Sequence, residues 1–82
     1  MFCKIFKSSR KAETYIYLPD NKEFTDLPEG LIGHFGEPLF VMELELTPDK
    51  KVARDNATEI LRDLDDQGYH LQLPLGDQFQ NS

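Results

Sequence analysis

Two histidines, one cysteine, a scatter of carboxylates and a short basic run are the side chains through which this chain of 82 residues could do chemistry. His34 and His70 have no second histidine or cysteine at metal-ligand spacing. His34 falls near the end of a helical segment, where the helix dipole favours an imidazolium, and His70 falls on the polar face of a strand, so capping and surface roles are expected of them. Asp63, Asp65 and Asp66 sit along one wet helix face, and Glu43 with Glu45 at a strand end. Acid-base catalysis needs two carboxylates facing each other across an apolar cleft, and nothing in this spacing builds one. Asp49, Asp55 and Glu59 lack the alternating spacing of a calcium loop. Ser8 and Ser9 have no base placed beside them by sequence. Gly30, Gly33 and Gly36 fall in or at the end of a helix and do not follow a strand, so they make no phosphate loop and are expected to allow close packing or capping. The sequence therefore nominates no catalytic residue, no metal ligand and no cofactor site, and it points away from an enzyme.

The charge is unevenly divided. The net charge of −6 separates into +4 over residues 1 to 11 and −10 over the remainder. An acidic surface repels phosphate backbones and anionic lipid, which excludes non-specific nucleic-acid and membrane binding everywhere except that basic end. There Lys7, Arg10 and Lys11 sit at a hairpin tip, with Tyr15 and Tyr17 on one face of the next strand. Cations beside stacking rings are the arrangement of a single-strand RNA binder, and a charged turn that merely keeps a sheet edge soluble is the plainer alternative. A protein-binding surface is the other candidate. Leu39 and Val41, joined by Tyr15 and Tyr17 if these share a side, would form an apolar patch rimmed by acids, unless a helix covers it.

The elements that must position these residues follow from periodicity. Phe2 to Lys7 and Glu13 to Leu18 are aromatic and β-branched runs, expected as antiparallel strands β1 and β2, and Pro19-Asp20-Asn21 ends the second. Thr25 is the expected cap of helix α1, whose apolar positions are Leu27, Leu31, Ile32 and Phe35 and whose end is Gly36. Pro38 opens β3, expected from Leu39 to Thr47. Its strict alternation puts Phe40, Met42, Leu44 and Leu46 on one face and Leu39, Val41, Glu43 and Glu45 on the other. Apolar residues on both sides predict that this strand lies inside the sheet. After the turn at Thr47 to Lys51, Ala53, Ala57, Ile60, Leu61 and Leu64 form the stripe of helix α2, started by Asp55 or Asn56 and stopped by Gly68. Tyr69 to Leu73 makes β4.

The expected fold is α+β: a single compact domain with a four-stranded mixed sheet and two helices, in the order β1-β2-α1-β3-α2-β4. The sheet is expected to be mixed because a β3-α2-β4 passage commonly makes a right-handed parallel crossover. Hydrophobic residues make up 39% of the chain, enough for one core at this size. Cys3, the only cysteine, excludes an internal disulfide and is expected to be a buried, inert thiol. No apolar run reaches membrane-spanning length and no signal peptide is read, so a cytoplasmic protein is expected.

Several segments together resemble one family. Met1-Phe2-Cys3, Thr14-Tyr15-Ile16-Tyr17, Leu27-Pro28-Glu29-Gly30-Leu31, Phe35-Gly36-Glu37-Pro38, Val41-Met42 and Gln67-Gly68-Tyr69-His70-Leu71-Gln72-Leu73-Pro74 are similar, in order, to the YcgL-domain family of small gamma-proteobacterial proteins. In that family the closing motif usually has a second tyrosine where this chain has His70, and more prolines than Pro74 follow. The resemblance covers residues 1 to about 74, leaving 75 to 82 as a tail. It implies a compact α/β domain with a four-stranded sheet and carries over no catalytic or cofactor residue. Residues and resemblance together predict a non-enzymatic module that binds an unidentified protein partner, with RNA binding at the basic hairpin as the alternative.

Overall fold

The computed structural model describes residues 1–49 and 57–73. Strands β1 (Phe2–Ser8) and β2 (Tyr15–Pro19) form an antiparallel hairpin. A single 3-10 turn (Phe24–Asp26) leads to α1 (Glu29–Phe35), and β3 (Pro38–Glu45), α2 (Ala57–Asp66) and β4 (His70–Gln72) follow. The α+β class, the four strands and the two helices are as the periodicity predicts.

The sheet order is β3-β1-β2-β4 and each neighbouring pair is antiparallel. This corrects two expectations. The sheet is not mixed, because β3 and β4 stand at opposite edges and α2 links edge to edge instead of joining two parallel neighbours. The interior position belongs to β1 and β2, and β3 is an edge strand. Apolar residues on both faces of a strand call for a cover on each face and do not decide whether it pairs along both edges. Here β4 has taken the free side of β2.

The period-two pattern of the hairpin builds two cores. Cys3, Ile5 and Tyr17 face one side, where they meet Leu46 and the Ala57, Ile60 and Leu64 stripe of α2. Ile16 and Leu18 face the other side with Leu27 and Phe35, and Phe6, Leu31, Ile32 and Leu71 pack around them. A sheet with apolar residues on both faces needs a cover for each, and one helix serves each side. The Cys3 thiol is fully buried, and that burial pushes its pKa up from the ordinary value, so the expected buried thiol is what the fold contains.

Local signals explain the helix ends. Gly36 and Gly68 both have positive φ, at 80° and 86°, and both close helices as expected. The start of α1 differs from the expectation. Thr25 lies inside the 3-10 turn, whose box is closed by Glu23 and Asp26, and α1 begins after Pro28 without a side-chain cap. Proline holds the preceding Leu27 extended, which separates the turn from the helix. Nothing lies within 4 Å of a Cβ built on Gly30 or Gly33, so close packing is not the reason for either glycine. The expected α2 start at Ala53, Asp55 or Asn56, the turn residues Lys50 and Lys51, and the tail from residue 75 lie outside the described residues.

Candidate functional site

The basic turn is a built structure. Ser8 is buried at the end of β1, and its hydroxyl donates to the Phe35 carbonyl at 2.5 Å while accepting from the backbone N–H groups of Lys11 at 2.8 Å and Arg10 at 3.1 Å. One side chain thus folds the turn and fastens it to the last residue of α1. Arg10 lies across Gly36 so closely that a Cβ there would stand 2.5 Å from its Cγ. Lys7, Arg10 and Lys11 are all exposed, and Arg10 lies where the negative end of the helix dipole favours a cation. Glu13 supplies the left-handed residue of the turn at φ 54°, so it belongs to the turn and not to β2.

Tyr15 and Tyr17 do share a face of β2, but they differ in access. Tyr17 is only 4% exposed, donates its hydroxyl to Gln72 Oε1 at 3.0 Å, and meets the His70 ring edge-on at 5.5 Å. Its ring is a core element, not a platform for a base. Tyr15 is half-buried. Together with Ile5, Val41 and Gln72 the two tyrosines line an open groove of about 220 Å³. The apolar grouping of Val41 with both tyrosines is therefore real. A second concavity, of about 80 Å³, lies between the basic turn, α1 and β4, with Lys11 and His34 at its polar side and Leu31, Phe35, Leu71 and Leu73 as walls. That volume falls well short of a cofactor pocket, which runs from about 300 Å³ upward.

The least expected surface is β3 itself. Leu39, Phe40, Val41 and Met42 are consecutive and each is between 44% and 61% exposed. A register shift between Ile5 and Phe6 of β1 places Phe6 opposite Phe40 and Ile5 opposite Met42, which makes Val41 the extra residue of a bulge. The bulge breaks the alternation read from sequence. Phe40 packs edge-on with Phe6 on the α1 side, whereas Leu44 packs with the α2-side core and Val41 lines the groove beside it. Carboxylates flank this apolar run at Glu37, Glu43 and Glu45, all exposed. A hydrogen bond with the Asp20 carboxyl, reinforced by its like charge, pushes Glu43 up from its ordinary value, with Lys4 opposing.

Of the two histidines, His70 has a structural contact. His70 is 7% exposed, with Nδ1 2.7 Å from Asp63 Oδ2, so it ties β4 to α2. This corrects its expected place on a polar face: the same face of β4 is turned toward the helix that covers it. His34 sits exposed in the last turn of α1, where its position was expected. Among the described residues no three histidine, cysteine or carboxylate side chains come together as a metal cluster, and no helix is long and apolar enough to cross a membrane. Ser8, which has no base beside it in sequence, works instead as the hub of the turn. Its one local signal is a serine at a strand end just before a turn, where the hydroxyl can accept from backbone N–H groups two and three residues on.

A small antiparallel sheet lined by a helix on each face, with β3 unpaired on its outer side among the described residues, defines a compact α+β domain. The chain belongs to the YcgL domain family, whose model matches residues 3–75. A YcgL domain-containing protein of Pseudomonas putida is 46% identical over 72 residues, covering 88% of this chain and 74% of that protein. One from Pseudomonas aeruginosa is 38% identical over 76 residues, covering 93% and 78%.

Proposed function

We propose that the chain is a non-enzymatic protein-interaction module that engages a partner through the outer edge of β3. The observation that carries this reading is the run Leu39 to Met42, four consecutive apolar residues about half exposed on a strand that, among the described residues, pairs on one side only. Edge strands of soluble proteins are ordinarily blunted by lysine and other charges, by proline, by a bulge, by shortness or by a covering element. β3 is eight residues long, has no lysine and has proline only at its first position; its bulge at Val41 and its charges at Glu43 and Glu45 still leave Leu39 to Met42 exposed. A cytoplasmic location is part of the proposal and rests on the acidic composition and the single buried thiol. RNA binding at Lys7, Arg10 and Lys11 has less behind it, since Tyr17 is sealed in the core and Arg10 lies over the end of α1.

Site-specific photo-crosslinking tests this reading. A photoreactive residue at Phe40 is expected to give a discrete protein adduct in cells that resists nuclease and is lost on Met42→Asp. The same residue at exposed Arg62 of α2 is expected to give none. Equal adducts at both positions, or nucleic-acid adducts from a probe at Lys11, would sink it.

A further inference from the structure

The edge of β3 carries information about the chemistry of what it binds. Its outward backbone groups are those that β1 does not use, so an added strand can continue the ladder. Along that edge the apolar stretch Leu39 to Met42 is followed within one residue by Glu43 and then Glu45, with Glu37 before it. A strand rises about 3.3 Å per residue, so the centre of the apolar stretch and Glu43 are less than about 10 Å apart. Asp20 brings a second carboxylate to Glu43, and Lys4 is the basic residue paired across from it. The Glu43 and Asp20 carboxylates meet across β1, on the inner side of β3, so the charges this segment offers an incoming strand are the exposed Glu37, Glu43 and Glu45.

We infer that the partner contributes an extended segment, apolar at its centre and lysine- or arginine-bearing at its ends, which adds to the sheet as a fifth strand beside β3. The apolar centre covers Phe40, Val41 and Met42, and a terminal cation settles beside Glu43. The groove beside Val41, walled by Ile5 and Tyr15, receives a side chain from the same segment. A second copy of this chain fits less well, because it would bring the same carboxylates to the same seam. This inference rests on the interaction reading above and adds the geometry and charge of the partner.

The probe is a synthetic eight-residue peptide of alternating valine and threonine with lysine at both ends, titrated into the isotopically labelled full chain. Saturable binding is expected, weakening as salt rises, with slowed hydrogen exchange at the amides of β3. Proline at the peptide's centre is expected to abolish binding, because it cannot continue a ladder. Glu43→Lys, an exposed site, is expected to weaken binding about fivefold or more while the fold is unchanged. Equal affinity for a glutamate-ended peptide, or no effect of Glu43→Lys, would overturn the inference. So would a dimer in sedimentation that Met42→Lys dissociates, since a second copy would then be the occupant. Crosslinks at Phe40 without affinity for the lysine-ended peptide would overturn this inference alone and leave the interaction reading standing.

Discussion

Replacing Ser8 with alanine removes one oxygen that three backbone groups depend on. The Phe35 carbonyl loses its donor in a buried position, and the N–H groups of Arg10 and Lys11 lose their acceptor in partly buried ones. Leaving a buried backbone group without a partner costs roughly 1–3 kcal/mol, and the two partly exposed N–H groups recover much of their loss from water. The sum comes to about 2–3 kcal/mol, a large share of the roughly 5–15 kcal/mol that holds a domain together. At the slope ordinary for a chain of this length, the thermal midpoint of Ser8→Ala should fall by roughly 10–20 °C. Urea unfolding followed by circular dichroism supplies the free energy, with the slope against denaturant expected to stay unchanged. Hydrogen exchange should quicken at Arg10 and Lys11 while the amides of β2 keep their protection. A loss under about 0.5 kcal/mol, the ordinary scatter of a surface substitution, would refute the assignment of Ser8 as the fastening between the turn and α1.

The two glycines of α1 and its cap should respond in opposite ways. Gly33→Ala meets open space and should stabilise by up to about 1 kcal/mol through helix propensity, whereas Gly36→Ala, at φ 80° and against Arg10, should destabilise; thermal melts distinguish the two. Glu43→Gln should raise stability at pH 7 by removing the like-charge contact with Asp20. Because the folded pKa of Glu43 lies above the unfolded value, the unfolded state loses its proton first and the cost grows as pH rises through the carboxylate range, so the gain from the substitution should vanish in acid, where both states are protonated. Melts of both proteins from acid to neutral pH check this, and a gain that persists in acid would contradict it.

What the sequence determined by itself is local. The aromatic and β-branched runs Phe2 to Lys7 and Glu13 to Leu18 read correctly as a pair of antiparallel strands, because such residues suit a pleated, half-buried surface, whereas the burial of both their faces emerged only from the packing of the two helices. Gly36 and Gly68 mark helix ends, since a positive φ is costly for most other residues. The stripe of Ile60 and Leu64 finds its helix through its period. What only the tertiary structure decided is who neighbours whom. Whether β3 lies inside or outside depends on which edge β4 takes, a choice made by packing between segments far apart in sequence. One bulge at Val41 undid an alternation that was faultless on paper, because a single extra residue reverses every later side chain relative to its partner strand. His70 and Ser8 became buried hubs through contacts with Asp63, seven residues away, and Phe35, twenty-seven residues away. No local pattern encodes such a contact. The exposed edge is likewise a property of the assembled sheet: Leu39 to Met42 have the composition of a core, and only strand order leaves them facing water.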